Sequence, residues 1–400
     1  MKANLMLLSA IVMIFAVIII QSCNKKTDSQ FLDTQNYNPG KTQLQLSANL
    51  SDIEQLGKNI YFDKLSDPIE VQGCFSCHAP EFGFGGAAFK NIDGIYEGAV
   101  PGAFGNRMAP SAAYASFSPM FHYDEDEGLF AGGIFWDGRA TGERLSPTAE
   151  QALGPFLNPV EQHNPNKESV LTQIAASEYA TLWQRVWGAP LTYSTQDEIN
   201  TNYDRVGLSI AAYESSPEVN QFSSKYDLYL KGAVKLTSEE RQGLALFNGK
   251  AKCNACHSSA GDMPLFTDFT YDNLGIPKNP NNPYYATDPG FIDYGLGEYL
   301  ATRTDKGWNQ YAEENMGKFK VPTLRNVGKM EGKGKRYMHN GVFGTLKEVV
   351  HFYNSRDEMG LMPEVNKNVN MSELGNLKLT PKQEDAIVAF MRTLSDGYVQ

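Results

Sequence analysis

Two short segments set a pair of thiols beside an imidazole: Cys74-Phe75-Ser76-Cys77-His78 and Cys253-Asn254-Ala255-Cys256-His257. Both have the spacing C-x-x-C-H, by which c-type haem is attached to protein. The chemistry explains the spacing. Two thiols add across the two vinyl groups of the porphyrin, and the adjacent His swings under the ring to ligate iron. Other chemistries explain less. A thioredoxin-like dithiol wants a βαβ setting, and none is visible. A structural zinc site would have to draw two distant pairs together and would leave both His residues unexplained. Disulfides are the default outside the cytoplasm, but they give the two His no work. The reading is two covalently bound haem c groups, with His78 and His257 as iron ligands.

Such groups need helices to deliver the chain to them. Residues 56–62 precede the first motif and residues 242–247 the second, each with apolar residues at i and i+3 or i+4. Thr237-Ser238-Glu239-Glu240 carries an N-cap signature for the second of these. Residues 200–213, 346–353 and 381–394 read as further helices. Gly-, Pro- and Asn-rich loops separate them, as at 83–105 and 277–297, and no run of alternating strands is visible. The expected fold is mainly α, with two cytochrome c-like haem domains and long loops. The boundaries are 47–231 for the first domain and 232–400 for the second.

The 400 residues suffice for two cores, and 42% hydrophobic with 20% charged residues excludes a disordered chain. The net charge of −11 argues against nucleic acid, because phosphate binding wants the opposite sign. Lys2 precedes an apolar run at 5–20, shorter than the roughly 20 residues of a helical span. The run ends at Gln21-Ser22-Cys23, which reads as a lipoprotein signal (1–22) with Cys23 lipidated, although Gln21 is unusual at its place. An uncleaved anchor is the competing reading. Residues 23–46 are polar and read as a tether. The body is expected on the periplasmic side, anchored to the cell envelope by lipid.

The chain resembles the bacterial di-haem cytochrome c peroxidases and their MauG-type relatives over nearly everything after residue 50. The resemblance is carried by Phe135-Trp136-Asp137-Gly138-Arg139-Ala140, Glu150-Gln151-Ala152-Leu153-Gly154-Pro155, Asn158-Pro159-Val160-Glu161, Phe319-Lys320-Val321-Pro322-Thr323-Leu324-Arg325-Asn326-Val327, Tyr337-Met338-His339-Asn340-Gly341 and Leu346-Lys347-Glu348-Val349-Val350-His351-Phe352-Tyr353. It implies a peroxidatic haem on His78 and an electron-transfer haem on His257. Trp136 matches the tryptophan between the two haems, and Glu161 the distal carboxylate. Gln151 and Pro155 match distal-pocket positions. A carboxyl there can pass a proton from the near to the far oxygen of peroxide. Trp136 and Glu161 stand farther apart than is usual in the family, which implies an insertion near 144–147.

The resemblance also exposes departures. Many members hold a second His on the peroxidatic iron at rest. This chain has six His, and none falls between 79 and 121. His122 adjoins the acidic run 124–127 and reads as a surface residue, so the first haem is expected to rest open. At the sixth position of the second haem, peroxidases place a Met and MauG-type enzymes a Tyr. This chain has Tyr353, with Met338 the alternative and Met359 and Met362 further competitors. Calcium between the domains is common in the family, with carbonyls near Gly334 and Arg336. The Asn that usually helps is here Met108, a poor ligand for a hard cation. Arg325 and His339 are expected to hold propionates or loops. The implied function is reduction of hydrogen peroxide with electrons from a small cytochrome or similar donor. The alternative is oxidation of residues on a partner protein. A homodimer is compatible with the resemblance.

Overall fold

In a computed structural model, residues 50–68, 71–86 and 91–399 are described. The signal, the tether and Cys23 lie outside the described residues. Those described belong to one compact unit, Asn49–Gln400. Helices dominate. In the first half they are α1 (Asp52–Phe62), α2 (Pro147–Leu157), α3 (Lys167–Ala176), α4 (Ala180–Trp187) and α5 (Gln196–Glu214). In the second half they are α6 (Lys225–Leu230), α7 (Ser238–Asn248), α8 (Leu296–Thr302), α9 (Leu346–Ser355) and α10 (Pro381–Arg392). All five stretches expected to be helical form helices, the last ending at Arg392 rather than at residue 394.

Local chemistry starts these helices. Thr237 Oγ1 accepts from the Glu240 N–H at 3.2 Å, and the Glu240 carboxylate accepts from the Thr237 N–H at 2.7 Å. Reciprocal caps of this kind also open α1 at Ser51/Glu54, α5 at Thr195/Glu198 and α9 at Thr345/Glu348. Each satisfies two backbone donors that the first turn leaves free.

The helix before each C-x-x-C-H motif crosses a later helix through a glycine. A Cβ on Gly57 of α1 would stand 1.8 Å from the Ser209 carbonyl oxygen of α5. A Cβ on Gly243 of α7 would stand 1.9 Å from the Ala386 carbonyl oxygen of α10. Only glycine permits such backbone approach. Around the first crossing Leu56, Ile60, Tyr61, Val206 and Ile210 are buried. Around the second, Phe247 and Phe390 meet at 5.2 Å between ring centroids and Phe266 packs on both.

Strands are few among the described residues. Three antiparallel ribbons pair β1 (Asn91–Ile92) with β2 (Ile95–Tyr96), β3 (His122–Asp124) with β4 (Leu129–Ala131), and β5 (Tyr271–Asp272) with β6 (Phe319–Lys320). An aromatic cluster of Phe121, Phe130 and Tyr271 with Leu296 and Leu300 of α8 ties the β3–β4 ribbon to the second half. Arg325 is fully buried and donates to both oxygens of Asp227, at 2.7 and 2.8 Å. The ion pair is flanked by the rings of Phe222 and Tyr114. A charge so deep is tolerated only when paired and hydrogen-bonded, which gives Arg325 a structural role.

Candidate active site

Each C-x-x-C-H segment begins as a single 3-10 turn, Cys74–Ser76 or Cys253–Ala255. The His78 N–H donates to the Cys74 carbonyl at 3.0 Å and the His257 N–H to the Cys253 carbonyl at 2.9 Å. The side chains then take a common form. His78 Nδ1 donates to the Phe84 carbonyl at 3.2 Å, and His257 Nδ1 to the Phe266 carbonyl at 2.8 Å. A bond on Nδ1 fixes the tautomer and leaves Nε2 as the metal-binding nitrogen. Burial holds both imidazoles below their ordinary pKa, in the neutral form that iron requires. The four thiols are unpaired. Burial pushes Cys74, Cys253 and Cys256 up to about 12 and Cys77 up as well. Thiols so placed are poorer redox nucleophiles than an exposed cysteine, which counts against the dithiol reading.

Cys74, Cys77 and His78 line a first cavity together with Trp136, Gln151, Pro155 and Glu161. Glu161 sits in the turn after α2, its N–H bound to the Asn158 carbonyl at 3.0 Å. Burial raises its carboxyl to about 7, although Arg139 and the Asn158 amide pull it back. Arg139 lines the same cavity, stacked 3.9 Å over the Phe135 ring. Among the described residues His78 is the one histidine on this wall. His122 is exposed on β3 and its Nδ1 donates to the Met120 carbonyl at 2.8 Å. At the expected insertion, the Glu150 carboxylate accepts from the N–H groups of Gly142, Arg144 and Leu145. The loop is thereby tied back to α2.

Cys253, Cys256 and His257 line a second cavity, where Tyr353 from α9 and Met338 are both present. Met359 and Met362 are not on this wall; they are 39% and 76% exposed. Burial, and then the Cys253 and Cys256 sulfurs, push the Tyr353 phenol well up. It keeps its proton unless a positive charge faces its oxygen. Leu274, Ile276, Leu346 and Val350 make much of the remaining wall apolar.

Trp136 and Met108 line both cavities. The Trp136 Nε1–H donates to the Met108 carbonyl at 2.8 Å, and the Met108 N–H donates to the His339 carbonyl at 2.7 Å. His339 stacks on Phe319 at 3.6 Å and 11° and meets Trp136 edge-on at 6.4 Å. Burial lowers its pKa to about 4. Arg107 clamps Asp293 through two nitrogens, both at 2.6 Å, and reaches Asp137 at 2.5 Å. Burial alone would raise the Asp293 carboxyl, but the Arg107 guanidinium overrides it and the net shift is down.

The residues present fit haem. Each cavity has two free thiols and an imidazole turned by its Nδ1 bond. The buried His339 Nε2 has no hydrogen-bond partner, and Lys335 and Arg336 stand on the same wall, suitable for propionate carboxylates. Calcium is less well served by side chains than haem is. Among the described residues no three His, Cys, Asp or Glu side chains gather as a metal site. Met108 offers sulfur. Arg336, already a cation, donates to the Gly341 and Val342 carbonyls and pairs with Asp93 at 3.3 Å. A hard cation wants those oxygens for itself.

Sequence reasoning missed Glu214, the last residue of α5, which lines the first cavity at 4% exposure. The signal was present. Glu214 falls four residues after Ile210 and eight after Val206, on the apolar stripe of its helix.

Two cavities that fit haem, with one tryptophan lining both, suit a two-centre redox protein. The comparisons agree. Residues 51–235 match the family model described as di-haem cytochrome c peroxidase. The methylamine utilization protein MauG of Paracoccus denitrificans is 32% identical over 372 residues, 86% of this chain and 88% of that protein. A cytochrome-c peroxidase of Denitromonas iodatirespirans is 31% identical over 381 residues, 89% and 86% of the two chains. The solved diheme peroxidase BthA from Burkholderia thailandensis superposes with a TM-score of 0.71 at 31% identity, covering 86% of each chain. The chain belongs to the family of di-haem cytochrome c peroxidases and MauG-like enzymes, and it is an oxidoreductase of that family.

Proposed function

We propose that the protein reduces hydrogen peroxide to water at the first cavity, with electrons from a small cytochrome or similar donor entering through the second. In this reading the halves 47–231 and 232–400 each hold one covalently attached haem c, and the body lies on the periplasmic side, tethered through Cys23. The haem groups, when bound, supply the iron that exchanges electrons with peroxide and donor.

The observation that carries the reading is the wall of the first cavity: a desolvated carboxyl, Glu161, and, among the described residues, no histidine besides His78. Reduction of peroxide consumes two electrons and two protons. Glu161, held near neutrality by burial, accepts a proton from the near oxygen of peroxide and returns it to the far oxygen as the O–O bond breaks. Gln151 offers an amide to orient the substrate. Pro155 and Ile210 supply apolar wall that limits water. Trp136 lies on both cavities and shortens the path for electrons between them.

A second reading is favoured by Tyr353. MauG is named for methylamine utilisation, and MauG-type enzymes carry Tyr at this position. An anionic oxygen ligand favours higher iron states and suits oxidation of residues on a partner protein. Steady-state consumption of peroxide with a reduced small cytochrome separates the two. Rapid turnover is the expected result. A long-lived oxidised state with slow turnover would transfer the assignment to the second reading, and no reaction with peroxide would end both.

A further inference from the structure

Glu214 is a carboxyl that the peroxide chemistry above does not use. It is 4% exposed, and burial is the one cause that acts on its carboxyl, with no ion pair among the described residues to offset it. It lines the cavity of Cys74 and Cys77. It is also the last residue of α5, where the helix presents its negative end and disfavours a second negative charge. After burial, its charge is the strongest influence on both the Cys74 thiol and the Tyr61 phenol, so it sits beside the edge where porphyrin attaches.

The groups facing it offer no compensation. On α1, Lys58 is committed to Glu218 at 2.7 Å, and the Tyr61 hydroxyl donates to the His78 carbonyl at 2.8 Å. On α2, Glu150 is held by the loop amides. On α3, Lys167 donates to Asn200 at 2.7 Å and lies over Tyr203. Tyr213 on its own helix is neutral, pushed up by burial. Cys74, Cys77 and Glu161, which share the cavity, bring no positive charge, and Arg139 acts on Glu161.

We propose that Glu214 is a redox-linked proton site: when an electron enters the haem held by Cys74, Cys77 and His78, the Glu214 carboxylate binds one proton from solvent, and it releases that proton when the electron leaves. Charge balances in each direction, one proton for one electron. The physical ground is a buried carboxyl without an ion-pair partner among the described residues: Arg107 and Arg139 line the same cavity but are paired with Asp137 and Asp293, so the oxidised iron would supply an uncommitted positive charge. Reduction removes that charge, and the cost of an uncompensated carboxylate in a poorly solvated site is then relieved by protonation. Burial alone already raises this carboxyl to about 8. The inference rests on haem in the first cavity but not on peroxide as substrate.

The test is a spectroelectrochemical titration of the first haem in the holoprotein across pH. The wild type is expected to lose a factor of ten in its reduction equilibrium per pH unit where the carboxyl titrates, or 59 mV for one electron. Glu161→Gln should keep that slope and Glu214→Gln should flatten it. A Glu214→Gln protein with the wild-type slope overturns the proposal. Should Glu214→Gln fail to take up haem, reduced-minus-oxidised infrared spectra of the Glu161→Gln protein decide. A protonated-carboxyl band growing on reduction supports the proposal, and its absence defeats it. A preserved slope in a protein that ignores peroxide would remove the peroxidase reading and leave this one standing.

Discussion

The two halves carry one haem-attachment motif on one local device and then diverge. In each, a glycine-crossed helix leads to a 3-10 turn with two thiols, and the His Nδ1 is held by the carbonyl of a phenylalanine, Phe84 or Phe266. Opposite that device the cavities differ. The first is faced by carboxyls and amides: Glu161, Glu214, Gln151 and Gln162. The second brings a phenol, Tyr353, and a thioether, Met338, among many aliphatic side chains, with Lys335, Arg336 and His339 and several carboxyls also on its wall. Attachment is thus a local matter repeated twice, while reactivity is set by residues brought from far along the chain. In the proposed reading the first half moves protons and the second passes electrons.

The largest expected effect tests the proton-moving side. Glu161→Gln should cut peroxide turnover by roughly 10²–10⁴, the usual worth of a positioned acid–base group. Haem content and the second haem's spectrum should stay unchanged. Retained turnover would make the two cavities equivalent in reactivity and dissolve the contrast. The same carboxyl predicts a pH limb. Glu161 must be ionised to accept a proton, and burial raises it to about 7. The second-order rate with peroxide should therefore fall as pH drops below about 7 and level off above it. That limb should vanish in Glu161→Gln.

On the other side, Tyr353→Phe should alter the spectrum and the midpoint potential of the second haem alone, and Met338→Leu should not. The reverse result would assign the sixth position to Met338. Loss of an anionic ligand should raise the potential, because such a ligand favours ferric iron.

What the sequence makes legible follows the same division. Cys-x-x-Cys-His and the Thr237/Glu240 cap are short-range patterns whose chemistry is complete within a few residues. Glu161 and Trp136 were reachable because each lies in a distinctive segment. Glu214 was not, since an ordinary helix end says nothing of the cavity it reaches until α5 is packed across α1. The orphaned His339 Nε2 and its stack on Phe319 likewise depend on β6 pairing with β5. Arg325 was expected at a propionate or a loop; its guanidinium is paired with Asp227, a partner from α6 that lies far along the chain. Calcium was weighed on Met108 and on carbonyls near Gly334 and Arg336; that the Arg336 guanidinium is bound to the Gly341 and Val342 carbonyls became visible only in three dimensions.

The repeated device yields a smaller effect that should be equal in the two halves. Gly57→Ala and Gly243→Ala each drive a methyl into a backbone carbonyl at a helix crossing. Overpacking of this kind costs about 1–3 kcal/mol, or more where backbone must move. Denaturant unfolding of the holoproteins should show comparable losses. A large loss at one glycine and none at the other would mean that the crossings are not the same structure.

The smallest effect separates the helix start from the crossing. In Thr237→Ala the Glu240 N–H loses its acceptor, while the Glu240 carboxylate can still accept from the residue 237 N–H and remains paired with Lys225 at 2.7 Å. Half of the reciprocal cap survives, so the loss should be about 1 kcal/mol, typical of a single N-cap. Ser51→Ala at α1 removes the same hydroxyl, but Glu54 there has no cation partner among the described residues. Its loss should match or slightly exceed that of Thr237→Ala. Thermal melts of the two variants check this. Cap losses equal to the glycine losses would mean that the two attachment helices are held mainly by their starts, and the shared crossing would then lose its place as the feature that makes the halves alike.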